Sequence, residues 1–423
     1  MNVTRYKAVK ETLYEEVLPN GLTVRVVPRP QFRRSFAVFA TDYGGADQRF
    51  SLGDTWIDTP AGIAHYLEHK MFDTADGNAL NILAASGAQP NAFTSSDITA
   101  YYFECTERFQ TNLEQLLSFV SVPYFTEESV EKERGIIGQE IGMVEDSPGF
   151  QVYIRLMRAL YRHSPVNSSV AGTVESIAKI TVQDLYNCHK AFYTPSNMAL
   201  AVVGNVDPEA VLDTARRLLP AEKAPKPVVD YGEDEPELPK ERYTELHMEV
   251  SAPQFMIGAK VRPERSGQAH LRQKHVGNLS MAALFGRASR FYTTLYSKNL
   301  LSGFEYDFDY AANAATLCLA GESANPQAVL EQVISAADEV RRNGLDKEKF
   351  QRVKNAALGN LIFSLEDMDD LAVSLAQSSF YGYNTLDAHR PEADVTMEEC
   401  EAFITEHFTP ERLAMSVVSP GGK

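Results

Sequence analysis

The chain has 423 residues, of which 44% are hydrophobic and 23% are charged, and its formal net charge is −17 at pH 7. Because a single hydrophobic core seldom extends beyond about 300 residues, this length predicts a globular protein with two cores. The sequence contains no dense run of Lys or Arg, which argues against nucleic acid and anionic membrane surfaces as partners. No stretch reaches the roughly 20 apolar residues that a transmembrane helix needs.

The N-terminal residues and the cysteines indicate the compartment. Residues 1–18 mix Lys, Arg and Glu without an apolar segment, so they do not resemble a secretory signal. The cysteines have neither CxxC spacing nor the density of a disulfide framework; they are Cys105, Cys188, Cys318 and Cys400. We therefore expect reduced thiols and a cytoplasmic protein.

The predicted elements follow an α+β order. In the first half, Thr59 suits an N-cap and Pro60 the first position of a helix. Strands are predicted at 22–28, 35–42 and 92–104, and helices at 60–72, 79–86, 109–120, 127–145 and 150–161. In the second half, strands are predicted at 243–250, 254–261, 304–310 and 314–319, with helices elsewhere. Strands and helices do not alternate strictly, which argues against a βαβ fold.

An internal repeat suggests that the chain consists of two similarly folded halves. Residues 180–204 and 395–419 align without a gap at a displacement of 215 positions, close to half the length. In each copy, a Thr caps the start of a predicted helix, and an aromatic-Thr-Pro sequence ends it. A strand follows, for which we expect alternating burial. The Pro-rich, charged segment 220–240 is typical of a linker. We therefore predict domains at 1–219 and 241–423.

The candidate chemistry lies on the helix predicted at 60–72, which contains the pattern HxxEH at 65–69. His65 and His69 are four residues apart, so both imidazoles lie on one helical face and can share a tetrahedral metal ion. Glu68 projects beside them, where it can accept a proton from a metal-bound water. This is the inverted form of the commoner HExxH order. A five-residue pattern also arises by chance, so the assignment of a metal site needs further ligands elsewhere in the sequence.

A catalytic zinc site needs a third protein ligand and an open position for water. The helix predicted at 127–145 offers Glu133 and Glu140, which stand seven residues apart on one face. Spacing alone does not choose between them. A solvated acidic face is the alternative interpretation of such a helix.

The chain resembles the insulinase/pitrilysin family of zinc peptidases over nearly its whole length. In that family, a helix with Glu-x6-Glu follows HxxEH by some seventy residues, and here Glu140 follows His69 by 71 positions. The resemblance implies that Glu140 is the third ligand of Zn²⁺ and that Glu133 supports the site. The segments GIAHYLEHKMF at 62–72 and GIIGQE at 135–140 resemble a small bacterial, cytoplasmic branch of the family.

Between the two helices, the segment Asn91, Ala92, Phe93 and Thr94 looks like the substrate-binding edge strand of that family. An edge strand can hold an extended peptide through main-chain hydrogen bonds. The alternation of apolar residues that follows is equally typical of an ordinary sheet strand.

The resemblance also implies an architecture and a partner. Family members have paired α+β halves, each a mixed or antiparallel sheet packed with helices, and usually two pairs enclose a chamber. This chain has the size of one pair, so we expect a second chain, in a heterodimer or a homodimer.

One departure from the family concerns the second half. Many active relatives carry there an Arg and a Tyr that steady the substrate carbonyl. In the corresponding stretch, 295–304, Tyr296 stands at the Arg position and no Tyr stands at the end. A related partner chain is one possible source of the missing groups. In a self-sufficient homodimer, Tyr296, Lys298 or Tyr306 would have to replace them.

The function predicted from the sequence is that of a zinc-dependent endopeptidase acting on extended peptides or peptide precursors. His65, His69 and Glu140 would hold Zn²⁺, and Glu68 would transfer protons. The competing hypothesis is a non-catalytic scaffold or assembly subunit of a peptidase-like complex. An intact polar cluster argues against a scaffold, because burying such groups without a function is costly.

Overall fold

The computed structural model describes residues 1–388 and 393–421. These residues form two compact units that are interleaved along the sequence. Unit 1 comprises Met1–Ile141, Ser169–Tyr231 and Ile362–Asp387; unit 2 comprises Gly142–Ser168, Gly232–Leu361 and the described part of Ala388–Lys423. The units differ from the linear halves predicted at 1–219 and 241–423. Segment 142–168, from the first half, belongs to unit 2, and segment 362–387, from the second half, belongs to unit 1; we call these the exchanged segments. The segment predicted as a linker, 220–240, is divided between the units after Tyr231.

The strands lie mainly at the beginning of the chain and in its middle. They are β1 Asn2–Tyr6, β2 Glu11–Val17, β3 Thr23–Pro28, β4 Ser35–Thr41, β5 Arg49–Leu52, β6 Thr55–Asp58, β7 Asp73–Thr74, β8 Gly77–Asn78, β9 Gln89–Thr94, β10 Thr99–Cys105, β11 Met198–Gly204, β12 Tyr243–Met248, β13 Gln254–Val261, β14 Ser302–Ala311, β15 Ala314–Glu322 and β16 Ala414–Pro420.

The α-helices are distributed through the described residues. They are α1 Ile63–Met71, α2 Ala79–Ala85, α3 Phe109–Ser121, α4 Glu127–Glu145, α5 Pro148–Leu160, α6 Val174–Ile177, α7 Val182–Phe192, α8 Pro208–Leu218, α9 Gly267–Phe285, α10 Arg290–Ser297, α11 Pro326–Asn343, α12 Lys347–Ser364, α13 Met368–Phe380 and α14 Met397–His407.

Each unit contains one large sheet, and the two sheets share a topology. The seven-stranded sheet of unit 1 has the order β1-β2-β3-β11-β4-β10-β9, and the five-stranded sheet of unit 2 has the order β12-β16-β13-β15-β14. The last strand of the internal repeat is β11 in unit 1 and β16 in unit 2. β11 pairs with β3 in parallel and with β4 antiparallel, and β16 pairs with β12 in parallel and with β13 antiparallel. The remaining strand pairs of both sheets are antiparallel. The predicted α+β class with two similarly folded halves is confirmed.

The internal repeat forms the same local structure twice. Thr181 and Thr396 each cap an 11-residue helix with a reciprocal capping box, as the sequence predicts. The alternating burial expected for the strand that follows is wrong, because all seven residues of β11 are buried. This strand lies in the middle of its sheet and contributes to apolar clusters on both faces.

Both sheets are covered by a helix from an exchanged segment. In unit 1, α13 packs on β11 and β4, and in unit 2, α5 packs on β16 and β13. The main core of unit 1 lies on the opposite face of its sheet from α13 and includes α1, α3 and α7. The site-bearing helix α1 is therefore anchored in a large apolar core.

Helix α1 begins three residues later than the sequence predicts. It starts at Ile63 after Gly62, whose φ of 96° is left-handed. Neither Thr59 nor Pro60 starts the helix: the Thr59 hydroxyl donates a hydrogen bond to the Gln48 carbonyl. A Cβ on Gly62 would lie 2.6 Å from the Ala171 carbonyl oxygen, so close packing requires glycine here.

The long strand predicted at 92–104 is wrong, since the segment forms the hairpin β9–β10. Ser95 and Asp97 interrupt the strand, and the Ser95 hydroxyl donates a hydrogen bond of 2.8 Å to the Asp97 carboxylate. Such short polar side chains favour turns over sheet ladders. The apolar alternation continues on both sides of the turn, which is why the pattern concealed it.

Two further expectations concern cysteines and membranes. The four cysteines are free, and three of them are buried. Within residues 1–388 and 393–421, no helix has both the length and the apolarity required to span a membrane.

Candidate metal centre

Helix α1 presents its two histidines on one side. The His65 and His69 rings are one turn apart, with centroids 4.6 Å from each other. The other side of the helix, including Ile63, Leu67 and Met71, is buried in the core of unit 1. Core packing therefore fixes the rotation of the helix and directs both imidazoles to the same place.

Helix α4 brings a carboxylate to both imidazoles. Glu140 Oε1 lies 3.5 Å from His65 Nε2, and Glu140 Oε2 lies 3.5 Å from His69 Nε2. The coordinating atoms of the three residues all lie within 4.8 Å of one another, so they can hold a metal ion. The structure thus brings together the three residues that the family resemblance suggested as ligands. Glu133, which spacing had left as an alternative ligand, is not in this group.

Glu133 lies behind His69 instead. His69 Nδ1 and Glu133 Oε1 are 3.0 Å apart, a hydrogen bond in which the ring donates to the carboxylate. This bond lowers the pKa of Glu133. Burial acts to lower the pKa of His69, but the Glu133 bond and the surrounding carboxylates outweigh it and raise that pKa. A carboxylate on Nδ1 fixes the tautomer that leaves Nε2 free for a metal ion.

The environment of His65 differs from that of His69. Burial, together with the neighbouring His69, lowers the pKa of His65 and favours the neutral imidazole, which is the metal-binding form. Its Nδ1 is buried and has no hydrogen-bond partner among the described residues. Two imidazoles that face one carboxylate, one of them neutral and desolvated, are a donor set that fits a divalent metal ion.

Glu68 is close to this group but belongs to another hydrogen-bond network. The residue is 8% exposed, and its Oε2 accepts a 2.6 Å hydrogen bond from Thr94 Oγ1. The Thr99 hydroxyl, 3.3 Å from that of Thr94, donates to the Tyr43 carbonyl. Burial is the main effect on Glu68 and raises its pKa, partly offset by the Thr94 bond. A carboxyl group with a raised pKa is a better proton acceptor than an ordinary carboxylate, which suits a general base.

The predicted substrate-binding residues lie on β9, the outermost strand of the unit 1 sheet. Within this strand, Ala92 pairs with Tyr101 and Phe93 with Ala100 on one side. The Asn91 side chain accepts a hydrogen bond from the Ala92 amide, and the Thr94 side chain is engaged with Glu68. Sequence reasoning missed this contact, because the spacing of residues 26 positions apart carries no signal of it. The role of the strand in substrate binding stays a prediction.

The residues considered as replacements for the missing Arg and Tyr all lie in unit 2. Tyr296, near the end of α10, is 62% exposed and stacks on Tyr292 with ring centroids 5.7 Å apart. Lys298 follows this helix and is exposed, whereas Tyr306 is half-buried in β14, where burial raises its pKa. The metal-binding group lies entirely in unit 1.

Comparison with known proteins identifies the family. Residues 57–174, which contain the whole candidate metal centre, match the model described as Insulinase (Peptidase family M16), and residues 179–357 match the Peptidase M16 inactive domain. The protein named Uncharacterized zinc protease YmfH, from Bacillus subtilis (strain 168), is 36% identical over 427 residues, which cover 98% of each chain. The chain belongs to the insulinase family, peptidase family M16.

Solved structures agree with this assignment. The putative M16-like peptidase from Alicyclobacillus acidocaldarius superposes with a TM-score of 0.93 at 32% identity, covering 97% of this chain and 99% of the other. Pitrilysin shares the fold, with a TM-score of 0.79 at 18% identity, and the match covers 99% of this chain but 46% of pitrilysin. The family resemblance predicted from the motifs is confirmed.

Proposed function

We propose that the protein is a zinc-dependent endopeptidase that hydrolyses extended peptides or peptide precursors. The observation that carries the proposal is the convergence of His65 Nε2, His69 Nε2 and the Glu140 carboxylate within 4.8 Å, with Glu68 beside them. Two imidazoles and one carboxylate form a ligand set of catalytic zinc sites that keep an open position. The names of relatives as zinc proteases support this choice of metal.

Zinc at this position would supply Lewis acidity, both to lower the pKa of a water molecule and to polarise a peptide carbonyl group. His65, His69 and Glu140 would hold the ion, and Glu133 would keep the His69 ring in the required tautomer. Glu68 would take the proton of the attacking water and deliver it to the leaving amine. The Thr94 hydrogen bond holds the Glu68 carboxylate in a defined orientation for both transfers.

The substrate proposal rests on the position of β9. Residues Asn91, Ala92, Phe93 and Thr94 lie on a strand that pairs with β10 on one side and is outermost in its sheet. An extended peptide could add to the other side through main-chain hydrogen bonds, which would accept many sequences. Because Thr94 also bonds Glu68, a peptide on this edge would lie beside the proton-transfer group.

The size of the chain supports a two-chain enzyme. The match covers 46% of the pitrilysin chain, so two such chains would together correspond to most of one pitrilysin chain. We propose a chamber formed with a related chain in a heterodimer, with the homodimer as its rival. We further propose that the linear halves 1–219 and 241–423 are the duplicated units of the family, joined by 220–240. A cytoplasmic location is consistent with the free cysteines.

The proposal is tested by zinc content and by peptide cleavage. The purified chain should contain about one zinc ion, and His65→Ala or Glu140→Ala should remove most of it, because each deletes a ligand. Glu127→Gln, at an exposed position of α4, is the matched control and should retain the metal. A mixed-peptide digest analysed by mass spectrometry should show zinc-dependent cleavage.

Full zinc occupancy in both ligand variants after mild chelation would refute the assignment of the metal centre. Zinc binding without any cleavage, alone or with related chains, would instead favour the scaffold hypothesis.

A further inference from the structure

Two buried residues of α1 have no part in the proposed chemistry. Tyr66 and Lys70 are one turn apart and both are 0% exposed. Tyr66 Oη donates a hydrogen bond to the Val130 carbonyl, and Lys70 Nζ donates one of 3.2 Å to the Ser129 carbonyl. Lys70 also pairs with the Asp73 carboxylate. Two consecutive carbonyl groups at the start of α4 are thus bonded to α1.

Besides these two bonds, helix α4 is held by the Glu133–His69 hydrogen bond, by one from the Arg134 guanidinium to the Ile180 carbonyl, and by a small apolar face. Only three of its 19 residues are buried: Val130, Ile137 and Ile141. Glycines at 135, 138 and 142 are unfavourable in a helix interior. At 135 and 138, a Cβ would meet nothing within 4 Å among the residues that the structure describes, so these positions add no packing. The polar contacts with α1 are therefore a large part of what orients α4.

We propose that Tyr66 and Lys70 are positioning residues that hold α4 in the register at which Glu140 reaches the two histidines. This inference rests on the proposed function, since it concerns the binding of zinc. Glu140 lies about 15 Å along the helix axis from the Val130 carbonyl, at 1.5 Å per residue. A small tilt at the start of the helix therefore displaces the Glu140 carboxylate and, one turn from the contact, alters the bond of Glu133 to His69.

A buried ammonium group is costly unless it is paired, and Lys70 is paired with the Asp73 carboxylate and bonded to the Ser129 carbonyl. The alternative to positioning is that Lys70 stabilises the last turn of α1 as a cation near the helix C-terminus. That role would affect folding stability but not the geometry of α4. The two roles are therefore separable by a measurement of zinc affinity.

The experiment compares Tyr66→Phe and Lys70→Met, which remove only the donor groups, with Tyr124→Phe and Lys190→Met at exposed positions of unit 1. The zinc dissociation constant is measured by competition with a chromophoric chelator, and the melting temperature of the metal-free protein is recorded in parallel. Each α1 variant should weaken zinc binding about tenfold or more, as supporting residues of metal sites typically do. The control variants should bind zinc like the parent.

A double-mutant cycle distinguishes positioning from loss of stability. In a Glu140→Ala background, Lys70→Met should change the zinc dissociation constant by a clearly smaller factor than in the parent, because α4 then supports the site only through the bond of Glu133 to His69. An equal change in both backgrounds, or parent-like zinc binding by both α1 variants, would overturn the inference. If His65→Ala left zinc binding of the parent intact, the proposed function would fail instead, which is a different outcome.

Discussion

Glu68 and the two histidines are neighbours on α1 but have different surroundings. His69 is hydrogen-bonded to Glu133, His65 is desolvated, and Glu68 is bonded to Thr94 on β9. The two imidazoles face Glu140, whereas Glu68 is outside the group whose atoms can hold one metal ion. At the scale of single residues, the fold thus separates the proposed metal ligands from the proposed proton-transfer group within one helical turn.

This separation predicts the behaviour of Glu68→Gln. The amide keeps the size of the side chain and an oxygen that can accept the Thr94 hydrogen bond, but it cannot take a proton. Zinc content and melting temperature should stay at parent values, while kcat should fall by about 10²–10⁴-fold. The measurement is peptide turnover at saturating zinc. A Glu68→Gln enzyme that is both zinc-replete and active would rule out the proposed mechanism.

At the scale of elements, the start of α1 depends on a single glycine. Gly62 has a left-handed backbone, and Ala171 occupies the space of a side chain. Gly53 has a similar φ of 61°, but no described atom lies within 4 Å of its Cβ position, so it is a matched control.

We expect both Gly62→Ala and Gly53→Ala to lose about 1–2 kcal/mol of unfolding free energy from the backbone conformation. Gly62→Ala should lose on the order of 1–3 kcal/mol more, because its methyl group overlaps Ala171. It should also bind zinc more weakly, since His65 lies on the first turn of the helix. Urea unfolding and zinc titration of the two variants provide the measurement. Equal losses in both would show that α1 starts differently.

Helix α7 carries a buried histidine that couples stability to pH. His189 is 7% exposed, its Nε2 donates a 3.0 Å hydrogen bond to the Val120 carbonyl, and burial lowers its pKa from 6.5 to about 4. Below pH 6.5, the unfolded chain binds the proton before the folded protein does. Stability should therefore decrease as the pH falls from 6.5 towards 4.

Between pH 7 and pH 5, this residue should account for on the order of 2 kcal/mol of lost unfolding free energy. His189→Gln keeps an N–H donor but does not titrate, so its urea midpoint should depend less on pH. His247→Gln, at an exposed position of β12, is the control and should behave like the parent. Parent-like pH dependence in His189→Gln would contradict the expectation.

At the scale of the whole molecule, the metal-binding group and the candidate carbonyl-steadying residues belong to different compact units. Unit 1 contains His65, His69 and Glu140. Unit 2 contains residues 295–304, the stretch in which the family resemblance leads us to expect that the Arg and Tyr are missing. All three proposed ligands of the metal ion are therefore present in this chain. The groups that would steady the substrate carbonyl are those for which a partner chain is proposed.

The partner proposal predicts weak activity of the isolated chain. Misplacing a substrate by about 1 Å can cost roughly 10²-fold in rate, so a missing carbonyl contact should impair turnover without affecting zinc binding. The chain should be assayed on unstructured peptides, first alone and then with a relative that lacks HxxEH but carries the Arg/Tyr stretch. Activity should rise by at least tenfold on addition.

Full activity of the isolated chain, unchanged by the relative, would eliminate the heterodimer. In that case the homodimer predicts that Tyr296→Phe, Lys298→Met or Tyr306→Phe lowers turnover while zinc content is retained.

Local patterns in the sequence were sufficient for much of the candidate site. The i, i+4 spacing placed His65 and His69 on one helical face, because helix geometry depends only on neighbouring residues. The same reasoning located α4, which begins and ends where periodicity predicts. The choice of Glu140 over Glu133 required the family resemblance, since both lie on the same face.

Only the tertiary structure decided which residues meet across the fold. The contacts of Thr94 with Glu68 and of Lys70 with Ser129 join segments that are distant in sequence. The exchange of α5 and α13 between the units and the burial of β11 on both faces were equally absent from local periodicity. The physical reason is that apolar residues at a period of 3.6 in a helix, or of 2 in a strand, indicate which face of the element is apolar. The period does not indicate which element covers that face, and this is determined by packing of the whole chain.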